Sequence, residues 1–303
     1  MSGIGPHTGR MISTATHTRA MTPLGPFSLA NQNRYFGGWL TPAHDGGTIL
    51  MAFPVEGWQH SAAVALRQEP DGTIAGTVAG PGDPDAAWQQ ALTVLSLDVD
   101  GTGYPDIGRT DPVIAALQRT HAYLRPVLFH SPYEAACAFV IAHRLSMARG
   151  RAIRQRMAAG YGTALTVAGT EVHAFPAPRQ LLQLDAVPGL TGEKVQRLHG
   201  VARAALDGTL DRAHLRRLPL AQALAQARSL RGIGEFFAAG IVLRGAGVVD
   251  AVPDEDITRA GIQRLYRLPA SSGLDRITDG WRPYRMWCSV LTHVDERRHR
   301  AAS

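Results

Sequence analysis

Lysine is almost missing from this 303-residue chain: Lys194 is the only one, and the rest of its 31 basic residues are arginine. Arginine suits bidentate phosphate contacts but cannot serve as a Schiff-base nucleophile. Cysteine is nearly as scarce, with Cys137 and Cys288 far apart and no CxxC pair. That excludes a four-cysteine zinc or iron–sulfur site, and it suits a reducing cytoplasm. No apolar run approaches the roughly 18 residues that cross a bilayer, so no membrane association is expected. The N-terminal stretch has no apolar core of the kind a secretory signal needs, and residues 1–22 read as a flexible leader. The 12 histidines contain no HExxH spacing. They read as ordinary surface or core residues, with no metal site among them.

What is present describes a globular protein: 45% of residues are hydrophobic and the formal net charge is +6. The positive balance fits a polyanionic partner, although an arginine-rich proteome explains the charge equally well. The length accommodates two or three lobes with sizeable cores. Residues 23–125 read as an α+β domain. Four runs rich in Val, Ile, Thr and aromatics, at Phe27–Tyr35, Thr48–Pro54, Ala62–Arg67 and Thr73–Ala79, predict a small antiparallel sheet. Glu69-Pro70-Asp71-Gly72 supplies the hairpin turn between the last two. Helices are predicted over Pro84–Leu95 and Asp111–His121, with the polar stretch Asp98–Thr110 separating them.

From Ser131 the pattern changes to helix after short helix. Ser131 and Glu134 form a capping box that opens a long helix to about Ala159. Further helices are predicted over Pro178–Leu184, Glu193–Leu206, Ala213–Leu218, Ala221–Leu230, Glu235–Gly245, Asp256–Leu268 and Trp281–Val294. No strand signal of comparable strength interrupts them, so residues 126–297 read as an all-α core of two helical lobes.

The stretch Leu230–Asp256, LRGIGEFFAAGIVLRGAGVVDAVPDED, is where chemistry is expected. Gly232 and Gly234 bracket Ile233 between two predicted helices. Glycine permits φ > 0 and close backbone approach, and the amides opening the second helix then face outward, where a phosphate meets the positive end of the dipole. Ile233 anchors the turn in the core. Pro253-Asp254-Glu255-Asp256 follows at the head of the next helix, where the macrodipole favours an ionised acid. Taken alone, the turn is more simply a plain αα-hairpin and the acid more simply a helix cap.

The hairpin LRGIGEFFA, the segment Leu243-Arg244-Gly245, the PDED cluster and WRPYR at Trp281–Arg285 occur in a characteristic order and spacing. In these motifs the chain resembles the helix-hairpin-helix DNA glycosylases, and within them the 3-methyladenine DNA glycosylase II branch. The likeness runs from about residue 25 to 295, through Leu124–Arg144 and Phe175–Leu206. It implies a monofunctional hydrolase that binds double-stranded DNA containing damaged bases and flips the target nucleotide into a pocket. The bond cut is the N-glycosidic bond of an alkylated purine of the 3-methyladenine or 7-methylguanine type. The family's catalytic aspartate falls on Asp256. Bifunctional relatives carry a lysine just after the hairpin; Glu235, Phe236 and Phe237 stand there instead, so no lyase step is expected.

The same resemblance implies DNA contacts from Arg231, Gly232, Ile233, Gly234, His143 and Arg244. Leu128, in the loop Pro126–Phe129, is the candidate wedge for the gap left by a flipped base, and reads equally as a packed linker residue. Phe236, Gly240, Trp281 and His293 are the candidate base pocket, because aromatic faces suit an electron-poor purine; Phe236 reads equally as core, and Trp281, with Tyr284 and Trp287 on the same helix, more simply as packing. Four residues depart from the branch. Arg231 replaces a proline and Phe237 a threonine. Gly240 and His293 replace a tyrosine and a tryptophan, which predicts an enlarged or wetter pocket. The hairpin carbonyls of Arg228, Leu230 and Ile233 are candidates for a monovalent cation; no other cofactor is implied. The expected form is a cytoplasmic monomer. The readings left open are a non-catalytic damaged-DNA-binding protein and a glycosylase for a bulkier or oxidised purine.

Overall fold

The turn at Glu69–Gly72 closes as its sequence asks, the Gly72 amide donating to the Glu69 carbonyl at 2.9 Å with Gly72 at φ 90°. In this computed structural model, which describes residues 15–36, 41–42 and 47–302, it joins two strands of a five-stranded antiparallel sheet. The elements of this lobe are β1 (Thr16–Met21), α1 (Leu29–Phe36), β2 (Thr41–Pro42), β3 (Ile49–Pro54), β4 (Ser61–Gln68) and β5 (Ile74–Ala79). The strand order is β1-β5-β4-β3-β2.

Two expectations fail here. Thr16–Met21 is not leader but an edge strand, paired with β5 from Thr16 opposite Ala79 to Met21 opposite Ile74. Its sequence THTRAM lacks the apolar alternation that marks a strand, because no face of it is fully buried. The rest of the predicted leader, residues 1–14, lies outside the described residues. The strand predicted over Phe27–Tyr35 is instead helix α1, whose first turn is capped by Ser28 Oγ accepting from the Asn31 amide at 3.3 Å. A local cap outweighs the β preference of the flanking aromatics.

Helix α2 (Pro84–Val94) is capped by Asp83, whose carboxylate accepts from the Asp85 amide at 2.8 Å. It lays Trp88, Ala91 and Leu92 on one face of the sheet, against Phe53, Val64, Leu66 and Val78. Two more helices follow, α3 (Tyr104–Thr110) and α4 (Pro112–Thr120). The first lies inside the stretch expected to be a polar connection, and buries Tyr104 and Ile107. Arg125 is fully buried; its guanidinium donates to the carbonyls of Leu24, Pro26 and Ser96 and lies 4.7 Å over the Trp287 ring. Burial lowers its pKa to about 10, and the carbonyl cage replaces the lost water.

The long helix predicted from Ser131 is two helices, α5 (Pro132–Ala142) and α6 (Met147–Tyr161). Ser131 caps α5 as expected, accepting from the Glu134 amide at 3.1 Å, but the Glu134 carboxylate turns to His130 at 3.0 Å instead of completing the box. The break is stabilised from both sides. Arg144 adopts φ 56° and Ser146 caps α6, while Lys194 Nζ donates to the carbonyls of Ile141 and His143, both at 2.7 Å. The only lysine therefore closes the end of α5.

A hairpin, β6 (Thr163–Val167) and β7 (Thr170–Ala174), interrupts the region expected to be all-α. Leu165, Val167 and Ala174 pack on Leu50, Ala63, Ala65 and Ala79, covering the second face of the N-terminal sheet. The remaining elements are α7 (Pro178–Leu181), α8 (Gly192–Leu206), α9 (Arg212–Arg217), α10 (Leu220–Arg228), α11 (Glu235–Ala239), α12 (Asp256–Leu265), α13 (Asp275–Thr278) and α14 (Arg285–Ala302). A π-helix over Gly240–Ala246 continues α11, and a 3-10 turn over Asp279–Trp281 precedes α14. Their shared core runs from Tyr133 and Ile141 through Leu198, Ile241 and Ile262 to Trp287.

Candidate active site

Between α10 and α11 the chain turns at Gly232, which adopts φ 86°, and the Ile233 amide donates to the Leu230 carbonyl at 3.0 Å. Ile233 is buried and holds the turn to the core. Gly234 is the N-cap of α11 and contributes no side-chain acceptor, so no side-chain cap covers the first amides of that helix. Arg231 is exposed beside them. Arg228 and Glu235 pair across the mouth of the turn at 3.1 Å.

The two phenylalanines after the turn have different fates. Phe236 is 59% exposed. Phe237 lies partly buried beneath it, stacked on Phe139 with ring centroids 5.1 Å apart, and His143 meets its edge at 5.9 Å. His143 thus belongs to an aromatic ledge at the end of α5. A Cβ on Gly240 would lie 2.3 Å from the Phe139 ring. The space expected to open at Gly240 is filled by Phe139.

Three other candidates point inward. Trp281 is fully buried, its indole N–H donating to Asp111 Oδ2 at 3.0 Å, an oxygen that also accepts from the Tyr266 hydroxyl. It anchors the segment before α14 to α4. Leu128 is buried too, with its amide bonded to the Val94 carbonyl at 2.7 Å and its side chain against Gly247. It is packing between lobes, not an exposed wedge. Arg244 is half-buried and donates to the Val127 carbonyl at 3.1 Å. Burial lowers its pKa, with the Glu255 carboxylate opposing that shift, so Arg244 serves as an internal strut facing the acid cluster.

The loop leading to that cluster is clamped by the WRPYR segment. Asp250 Oδ1 accepts from Arg285 Nε at 2.6 Å, the Asp250 carbonyl accepts from Arg285 Nη2 at 2.5 Å, and Arg282 pairs with the other carboxylate oxygen. The Met286 amide adds a bond to the Val249 carbonyl at 2.9 Å. Helix α12 is held to α14 by Arg264, which reaches Asp295 and Glu296 at 2.6 and 2.7 Å.

The three acids at the head of α12 differ sharply in surroundings. Asp256, the first helical residue, is exposed, and among the described residues its carboxylate makes no hydrogen bond or ion pair. Asp254 is exposed and bound to Arg259 at 2.6 Å. Glu255 is the N-cap residue and half-buried, with Oε2 3.3 Å from His293 Nδ1. The hydrogen bond from His293 holds the Glu255 carboxyl below its ordinary range; burial opposes this, and the charge of Arg244 adds to it. His293 Nδ1 also lies 3.4 Å from the buried Thr258 hydroxyl. The pairing of Glu255 with His293, the Asp250 clamp and the Phe139 plug were not foreseen. Each joins residues distant in the chain, although His293 stood out as a departure from the resembled pattern.

A small antiparallel sheet, a helical core, and a glycine hairpin followed by an acid-headed helix make up a fold that solved DNA glycosylases share. The solved 3-methyladenine DNA glycosylase from Archaeoglobus fulgidus has this fold, with a TM-score of 0.71 and 17% identity over 92% of this chain and 98% of that one. MBOgg1, solved in complex with a low-affinity DNA ligand, gives a TM-score of 0.71 and 12% identity over 95% and 99%. In sequence the chain is similar to a DNA-3-methyladenine glycosylase of Bacillus subtilis (strain 168), 23% identical over 203 residues that cover 65% of this chain and 67% of the relative. No family model matches the chain.

Proposed function

We propose that this protein is a DNA glycosylase that hydrolyses alkylated purines, of the 3-methyladenine or 7-methylguanine type, out of double-stranded DNA with no lyase step. The observation that carries the reading is the clamped acid cluster at the head of α12, following an uncapped glycine hairpin. The only lysine supports the hydrolytic part, because Lys194 Nζ is committed to two carbonyls at the end of α5.

Alkylation at a ring nitrogen leaves the purine cationic, so it departs without a proton donor. The C1′–N bond breaks with its electron pair going to the purine and cancelling the charge. A carboxylate stabilises the resulting oxocarbenium-like sugar, and a water oxygen forms the new bond to C1′ while its proton passes to the carboxylate and on to solvent. The resemblance puts that role on Asp256. Phe236 offers an exposed ring on which a cationic base stacks, a contact worth about 1–2 kcal/mol once desolvated. The amides of α11 and Arg231 take backbone phosphates, which makes affinity fall with salt. The resemblance makes the hairpin carbonyls of Arg228, Leu230 and Ile233 candidates for a monovalent cation. Leu230 already accepts one hydrogen bond there, and a carbonyl retains a second lone pair.

The test is incubation with N-methylated duplex DNA and, in parallel, duplex containing 8-oxoguanine, with released bases identified by mass spectrometry. Free methylated purines with intact abasic strands are expected. Release of 8-oxoguanine alone, or a borohydride-trapped protein–DNA adduct, overturns the reading.

A further inference from the structure

Sequence distance from the hairpin selects Asp256, but side-chain surroundings select its neighbour. A carboxylate that stabilises a cationic sugar needs two properties. Its charge must act through a medium less polarisable than bulk water, and its position must be fixed before the charge develops. Asp256 has neither: it is exposed, and no partner among the described residues sets its rotamer. Asp254, with its side chain 83% exposed, is neutralised by Arg259.

Glu255 has both. Its side chain is 29% exposed, and one oxygen is bound to a histidine whose own side chain is 27% exposed and fixed in turn against buried Thr258. Among the described residues Oε1 makes no hydrogen bond or ion pair, which leaves it available to water or to the anomeric carbon. As the N-cap residue it makes no capping bond to the first turn, so neither oxygen is taken up by the helix amides.

We propose that Glu255, oriented by His293, is the carboxylate that faces the reacting sugar, in place of Asp256; this rests on the glycosylase reading above. In the step, Oε1 lies against C1′ as the glycosidic bond breaks. The attacking water gives its proton to Oε1, which then releases it to solvent. His293 is a positioning residue: its Nδ1 lies 3.3 Å from Oε2 and pairs with it, which fixes the carboxylate plane.

The test uses the full-length protein and two duplexes containing one abasic analogue, a cationic pyrrolidine or a neutral tetrahydrofuran. Neither carries a base, so the result does not depend on which lesion is excised. Wild type is expected to prefer the cationic duplex roughly tenfold. Glu255→Gln should bring that ratio to about one with tetrahydrofuran affinity unchanged, and Asp256→Asn should keep it. His293→Leu should lower the ratio, and His293→Asn, whose amide nitrogen replaces Nδ1, should restore it; these two variants decide the matter if Glu255→Gln fails to fold. A ratio lost in Asp256→Asn and kept in Glu255→Gln overturns the assignment, as does no preference in wild type. If methylated DNA yields no free base while the Glu255-dependent preference persists, the substrate reading fails and this assignment stands.

Discussion

Asp250→Ala should loosen the loop that delivers the acids, and the structure sets the size of the effect. Asp250 Oδ1 receives Arg285 Nε at 2.6 Å, with the Arg285 side chain 18% exposed. A charged hydrogen bond in such a setting contributes about 1.5–3 kcal/mol. The Arg282 contact is half-exposed and adds about 0–1 kcal/mol. Against this, Arg285 keeps the Asp250 carbonyl and gains from Asp279, 3.6 Å from its Nη1. The expected net loss is about 2 kcal/mol, read as a shift of the urea midpoint at unchanged slope. Because the same loop ends in the acid cluster, single-turnover excision should also fall by roughly tenfold, the scale of a sub-ångström displacement. Arg285→Ala should cost a similar amount, and the double variant should cost clearly less than the sum. A stability loss under about 0.5 kcal/mol with unchanged excision, or strict additivity, would refute the clamp.

Two further outcomes are expected. Phe236→Ala should change stability by less than about 0.5 kcal/mol, since the ring is mostly in water, while excision of methylated purines drops roughly tenfold; equal excision would remove Phe236 from the base site. Glu255 is held below its ordinary carboxyl value of 4.5, chiefly by the His293 hydrogen bond. A depressed acid contributes stability that is present above its unfolded value and lost as pH falls through the folded one. The stability gap between wild type and Glu255→Gln should therefore be constant above about pH 5.5 and shrink below 4.5. A gap that persists unchanged down to pH 3 would rule out the coupling.

The glycine hairpin and the acid cluster were legible in the sequence because each is local. Gly232 needs a positive φ, and PDED opens a helix whatever surrounds it. Burial separated residues that sequence motif alone could not. Trp281 lies in the resembled motif yet is consumed by Asp111, and Leu128 and Arg244 are likewise turned inward. Gly240 suggested empty space only because Phe139, on a different helix, was out of view. The strand at Thr16–Met21 and the hairpin at 163–174 were missed for a related reason. Short strands lying at a sheet edge or across a sheet face carry few buried side chains, so their pattern is weak. The choice between Glu255 and Asp256 lay beyond spacing arguments altogether, since adjacent residues differ in environment and not in motif.

The hairpin β6–β7 has a consequence for how the protein is made. It covers one face of a sheet whose strands all precede residue 80. On the ribosome, at about 5–20 residues per second, that face stays wet until synthesis has passed Ala174. The sheet cannot mature as an independent N-terminal unit. Truncation before the hairpin should leave Leu50 and its alanine neighbours as an adhesive patch that invites intermolecular pairing.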